Sequence, residues 1–73
     1  MQGYEEPAVI WRLTRGGSVA HATILPGGPH TTVTWFFDGT MDRAENYETI
    51  ELALARAEHI RGILERDGWA PAG

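Results

Sequence analysis

The chain predicts an α+β fold: a three-stranded antiparallel meander with one C-terminal helix packed on one face, a two-layer βββα unit. Three observations carry that expectation. The hydrophobic period changes from 2 to 3.6 near residue 40. Glycine- and proline-bearing breaks separate three β-rich runs before that switch. At 73 residues there is room for one core only, so the layers must pack on each other. The expected organisation is an N-terminal arm over 1–7, a single domain over 8–69 and a C-terminal tail over 70–73.

The runs Ala8–Arg15 and Ser18–Leu25 flank Gly16-Gly17, a pair suited to the positive φ angles of a two-residue hairpin turn. They are expected as the first two strands. Pro26-Gly27-Gly28-Pro29 interrupts the pattern as a four-residue loop, and His30–Phe37 resumes it as the third strand. Counting back from the glycine turn pairs Val9 with Ile24, Trp11 with Ala22 and Leu13 with Ala20. Carrying the count through the loop sets Val33 beside Ala22, Trp35 beside Ala20 and Phe37 beside Ser18. Large side chains then flank small ones across the central strand, as a packed face requires. From about Arg43 to Asp67, Tyr47, Ile50, Ala53, Leu54, Ala57, Ile60 and Leu64 recur at spacings of three and four and predict one helix with an apolar stripe. Asp42 and Glu45 have capping-box spacing at its start. Gly68 suits a left-handed residue just past its end, with Trp69 folding back towards Leu64. Gly62, inside the helix, costs about 1 kcal/mol against alanine and asks for a close neighbour.

Composition narrows the function classes. There is no cysteine, which removes disulfides, thiolate metal sites and thiol catalysis together. No apolar run approaches the ~18 residues of a membrane span, and the first six residues are acidic where a secretory leader is basic, so a cytoplasmic chain is expected. All six basic residues are arginine and there is no lysine, which reads as a GC-rich coding bias of bacterial or phage type. Net charge is −4, but unevenly spread. Residues 8–37 hold two arginines and no acid, giving +2, whereas residues 38–73 hold four arginines against eight acids, giving −4. Wholesale phosphate binding is disfavoured by the total, although the sheet half is locally basic.

The sheet side opposite the helix is expected to carry three rows: Ile10, Thr23 and Thr32; Arg12, His21 and Thr34; Thr14, Val19 and Phe36. The middle row concentrates hydrogen-bond donors that could hold a carboxylate or phosphate. A solvated, threonine-rich sheet face accounts for the same residues. Asp38, Asp42 and Glu45 cluster without the spacing of a calcium loop, and His21, His30 and His59 without that of a zinc site. The sole serine, Ser18, sits beside a turn. No catalytic, cofactor or metal residue is therefore assigned.

The element order is similar to that of small bacterial βββα modules, among them the N-terminal part of HicB-type antitoxins and the three-stranded DNA-reading domains of some integrases. The similarity is one of order alone and transfers no function. The expected function is a small non-enzymatic interaction module that self-associates, most simply as a dimer, through the open sheet face or an edge strand. Ile10, Arg12, Val19, His21, Thr34 and Phe36 are its candidate contacts. The alternative is a weak nucleic-acid-binding module using the Arg12/Arg15 hairpin and the threonine-rich face.

Overall fold

The structure, a computed structural model describing residues 7–72, is α+β, but its sheet has five strands where three were expected. In chain order these are β1 (Ala8–Arg15), β2 (Ser18–Gly27), β3 (His30–Phe37), β4 (Thr40–Tyr47), the helix α1 (Ile50–Arg66) and β5 (Ala70–Pro71). They form one antiparallel sheet in the order β4-β3-β2-β1-β5. The expected arm lies outside the described residues, Pro7 apart. No helix among the described residues is long and apolar enough to cross a membrane.

The three-stranded expectation fails first at Asp38-Gly39. Asp38 has φ 52° and Gly39 φ 83°, so both central residues of the turn are left-handed, as a tight primed hairpin turn demands. The Asp38 amide donates to the Val19 carbonyl at 2.7 Å, and its Oδ1 accepts from the Val19 amide at 2.9 Å. The chain therefore turns back along β3 as β4 instead of entering a helix. Strand β4 shows no apolar alternation because it is an edge whose inward positions, Arg43, Glu45 and Tyr47, lie at the margin of the core. Asp42 does not cap α1. Thr49 does, with extended backbone (φ −135°, ψ 158°) and a hydroxyl accepting from the Leu52 amide at 3.1 Å. At the other edge, Ala70–Pro71 pairs with Leu13 and Thr14, and the Ala72 amide donates to the Arg12 carbonyl at 2.9 Å. The fourth strand also departs from the βββα order noted above.

The β1–β2 register agrees with the sequence from Trp11 onwards, with Trp11 opposite Ala22, Leu13 opposite Ala20 and Arg15 opposite Ser18. Towards the start of β1 a bulge admits Ile10 as an extra residue, so Val9 faces Thr23 instead of Ile24. Val9, expected in the core, is 49% exposed, and Ile10, expected on the open face, packs against the core. The β2–β3 connection is tighter than a four-residue loop: Gly27 pairs with His30, leaving two residues in the turn with Gly28 at φ 56°. That moves the register by two residues, bringing Trp35 opposite Ala22 and Phe37 opposite Ala20. A two-residue shift keeps every side chain on its face, so the buried set survives although its pairing changes.

Trp11, Ala22 and Trp35 consequently form one row across the sheet, an alanine held between two indoles. With Leu13, Ala20, Ile24 and Val33 they meet α1 through Ala53 and Ala57, whose small side chains let the helix sit close. The Trp11 indole N–H donates to the Ala57 carbonyl at 3.0 Å, tying helix to sheet in the buried layer. Ile60 and Leu64 extend the same helix side, while Ile50 and Leu54, expected in the stripe, are 44% and 40% exposed. After the helix, the Trp69 amide donates to the Leu64 carbonyl at 3.0 Å and the Gly68 amide to Glu65 at 3.2 Å, with Gly68 at φ 99°. These are the two bonds of a Schellman end. Trp69 then reaches further than the last turn, lying edge-on to Phe37 at 6.0 Å between ring centroids with the Arg15 guanidinium 5.5 Å above its own ring.

Candidate functional site

Helix α1 covers one side of the sheet and leaves the other open among the described residues. The register builds a row of four on that open side: Arg12, His21, Phe36 and Met41, one from each of β1 to β4. The His21 and Phe36 rings stack with centroids 4.4 Å apart and planes within 5°. Of the six candidate contacts, Arg12, His21 and Phe36 are thus neighbours. Thr34 lies one row away opposite Thr23, Val19 faces Thr14, and Ile10 has turned to the core. Phe36 was expected beside Val19 and Thr34 beside His21; the two-residue shift at the β2–β3 turn exchanges them.

The exchange alters the chemistry of the face. A donor row of Arg, His and Thr becomes a cation, two stacked rings and a thioether. Partial burial, and then the charge of Arg12, hold the His21 imidazole below its ordinary pKa of 6.5, so the ring is neutral at pH 7. Arg15, the other basic residue of the hairpin, is engaged elsewhere: it pairs with the Asp67 carboxylate at 2.9 Å and donates to the Asp67 carbonyl at the same distance. The Thr32 hydroxyl donates to Asn46 Oδ1 at 2.7 Å, closing β3 onto β4. The face then presents one guanidinium and an apolar strip in which Met41 is 60% exposed and Val9 stands free at the bulge.

A second constellation was hidden by the misplaced helix start. On the inner side of β4, Glu45 accepts from the Tyr47 hydroxyl and lies 3.5 Å from Nε of both Arg43 and Arg56. The Tyr47 hydrogen bond, with the two guanidiniums behind it, outweighs burial and holds the Glu45 carboxyl below its ordinary range. Burial, and then the same bond, push the Tyr47 phenol up. Arg43, Glu45 and Arg56, together with Asp42, rim a cleft of about 130 Å³ between β4 and α1. Its apolar walls are Trp35, Phe37 and Ile60. The Asp38-Gly39 pair was the signal that could have exposed this site, because it places Arg43 and Glu45 on a strand opposite Trp35 and Val33.

No protein-family model matches the chain, and no characterised protein or solved structure is significantly similar to it.

Proposed function

We propose that the chain is a non-enzymatic interaction module that pairs with a second copy of itself through the open sheet face. The Arg12, His21, Phe36, Met41 row is the observation that carries this reading, because it places an aromatic stack and an exposed thioether on the side that α1 leaves open. Flat apolar surface of this kind marks association sites, and a chain of this size without cysteine gains stability by burying it. The edges are less suited. Strand β4 is bulged between its pairings to Trp35 and Phe36 and carries charged residues, and part of the β1 edge is taken by β5.

A two-fold pairing of like faces would set Phe36 and Met41 of one copy against the same strip of the other, with neutral His21 adding no repulsion. The test is light scattering after size-exclusion chromatography at two concentrations. The wild type should run as a dimer at high micromolar concentration. Phe36→Glu should run as a monomer with its circular dichroism unchanged. A monomeric wild type at that concentration refutes the proposal. The nucleic-acid reading loses ground on the same residues, since Arg15 is paired, His21 is neutral and Arg12 is left as the face's one uncommitted cation among the described residues.

A further inference from the structure

A titratable ring sits in the middle of the strip that a second copy would cover. His21 stands on β2 between Arg12 of β1 and Phe36 of β3. Its imidazole lies flat on the Phe36 ring, with centroids 4.4 Å apart, so whatever covers Phe36 also covers the imidazole. Among the described residues, no carboxylate on this side of the sheet answers a positive charge there. Strands β1 to β3 fall within residues 8–37, which hold no acid, and β4 places Met41, Ala44 and Asn46 opposite Phe36, Thr34 and Thr32. Of the acids at the margin, Asp38 accepts from the Val19 amide in its turn, and Asp42 lines the cleft on the helix side. The one charged group facing His21 from a neighbouring strand is thus Arg12, since β3 adjoins it with Thr34 and Phe36. The second imidazole of this side, His30, stands at the far end of β3 opposite Gly27. Helix α1 packs on the other side of the sheet.

We propose that the open face is a contact that mild acid releases, protonation of His21 separating the two copies; this rests on the self-association proposed for the same face. In the single chain an imidazolium keeps water at its edge and gains from lying on Phe36. Covered by a second copy it loses that water, and the like face brings another Arg12 and another His21 towards it. Partial burial, and then the Arg12 charge, already hold the ring below its ordinary 6.5, and pairing presses in the same direction. Separated chains therefore bind protons more readily than the pair, so falling pH favours separation, and the loss sets in below about pH 6.5. The chain's net charge works the other way. Protonating all three histidines moves the formal charge from −4 to −1, which relieves repulsion between copies and favours association. A weakening in acid consequently reports the face and not the total charge.

The experiment is sedimentation equilibrium of the full chain at about pH 7.5 and about pH 5, at fixed ionic strength and with circular dichroism recorded at both. Each dimer holds two such rings, so its dissociation constant should rise at least about tenfold between the two conditions. His21→Phe, which keeps a ring against Phe36 and takes no proton, should dimerise equally at both. His30→Gln should show the same loss as the wild type. A wild type that is monomeric at the higher pH overturns the self-association and this proposal with it. A dimer whose constant is unchanged at the lower pH overturns the acid release alone, as does a loss that survives in His21→Phe, disappears in His30→Gln or comes with a changed circular dichroism spectrum.

Discussion

Ala22 shows at the scale of one residue how the sheet is specified. It is fully buried between Trp11 and Trp35, and nothing larger fits while both indoles keep their places. Ala22→Leu should overpack the row and lower stability by about 1 to 3 kcal/mol in chemical denaturation; an unchanged midpoint would mean that the indoles do not flank it. The large-small-large alternation was legible in the sequence on the β1 side. On the β3 side the sequence named Trp35 for the wrong alanine, because the length of the Pro26–Pro29 loop could not be counted from residue types. Glu45 offers a second residue-scale test. Its carboxyl titrates below its ordinary value of 4.5 in the folded chain, so the folded state holds its proton less tightly than the unfolded one. Its contribution to stability is therefore complete above about pH 4.5 and is lost as pH falls through the folded value. Glu45→Gln should flatten that part of the acid limb in denaturation curves taken between about pH 5 and pH 3, and an unaltered slope would show the Tyr47 contact to be absent in solution.

The elements differ in how far their chemistry is local. The glycine hairpin and the helix end were readable because a few neighbouring residues determine them: Gly16 sits at φ 60°, and Gly68 at φ 99° completes the Schellman bonds from Trp69 and Gly68. Strand β4 was not, because Arg43, Ala44 and Glu45 favour helix locally and only their pairing with β3 makes them a strand. The turn at Asp38-Gly39 was the one local clue, and it was outweighed by the capping-box spacing of Asp42 and Glu45. Two glycines now separate helix interior from helix end. A Cβ at Gly62 would meet nothing nearer than Arg66 Nη1 at 3.7 Å, so the close neighbour expected for it is absent. Gly62→Ala should stabilise the chain by about 0.5 to 1 kcal/mol. At Gly68 the added side chain finds room, Arg15 Cδ being 3.5 Å away, but the backbone angle is unfavourable for any L side chain. Gly68→Val should cost about 1 to 3 kcal/mol. Thermal melts of the two variants should move in opposite directions, and a loss of stability in Gly62→Ala would reveal a constraint on the helix that the packing does not show.

Over the whole molecule, charge and shape divide along the same plane. The acids of residues 38–73 gather on β4 and α1, and the open sheet face is left with Arg12 and an apolar strip. Two copies joined by their open faces would turn their acidic helices outwards and away from each other, a disposition that the net charge of −4 favours. A polyanion approaching the same face would meet one available guanidinium and feel the acidic remainder behind it. Salt separates the two outcomes. Self-association through Phe36 and Met41 is apolar, so its dissociation constant should hold or tighten between low and physiological salt. Any oligonucleotide binding should weaken, with log affinity falling against log salt at a slope no steeper than about −1, the value for one neutralised phosphate. Arg12→Ala should remove that dependence, whereas Arg15→Ala should leave it, because Arg15 already answers Asp67. A slope near −3, or an equal loss from both substitutions, would mean that Arg15 leaves Asp67 to meet phosphate and would return the face to nucleic-acid recognition. Salt-dependent dissociation of the dimer would equally place charge, not the His21–Phe36 stack, at its centre.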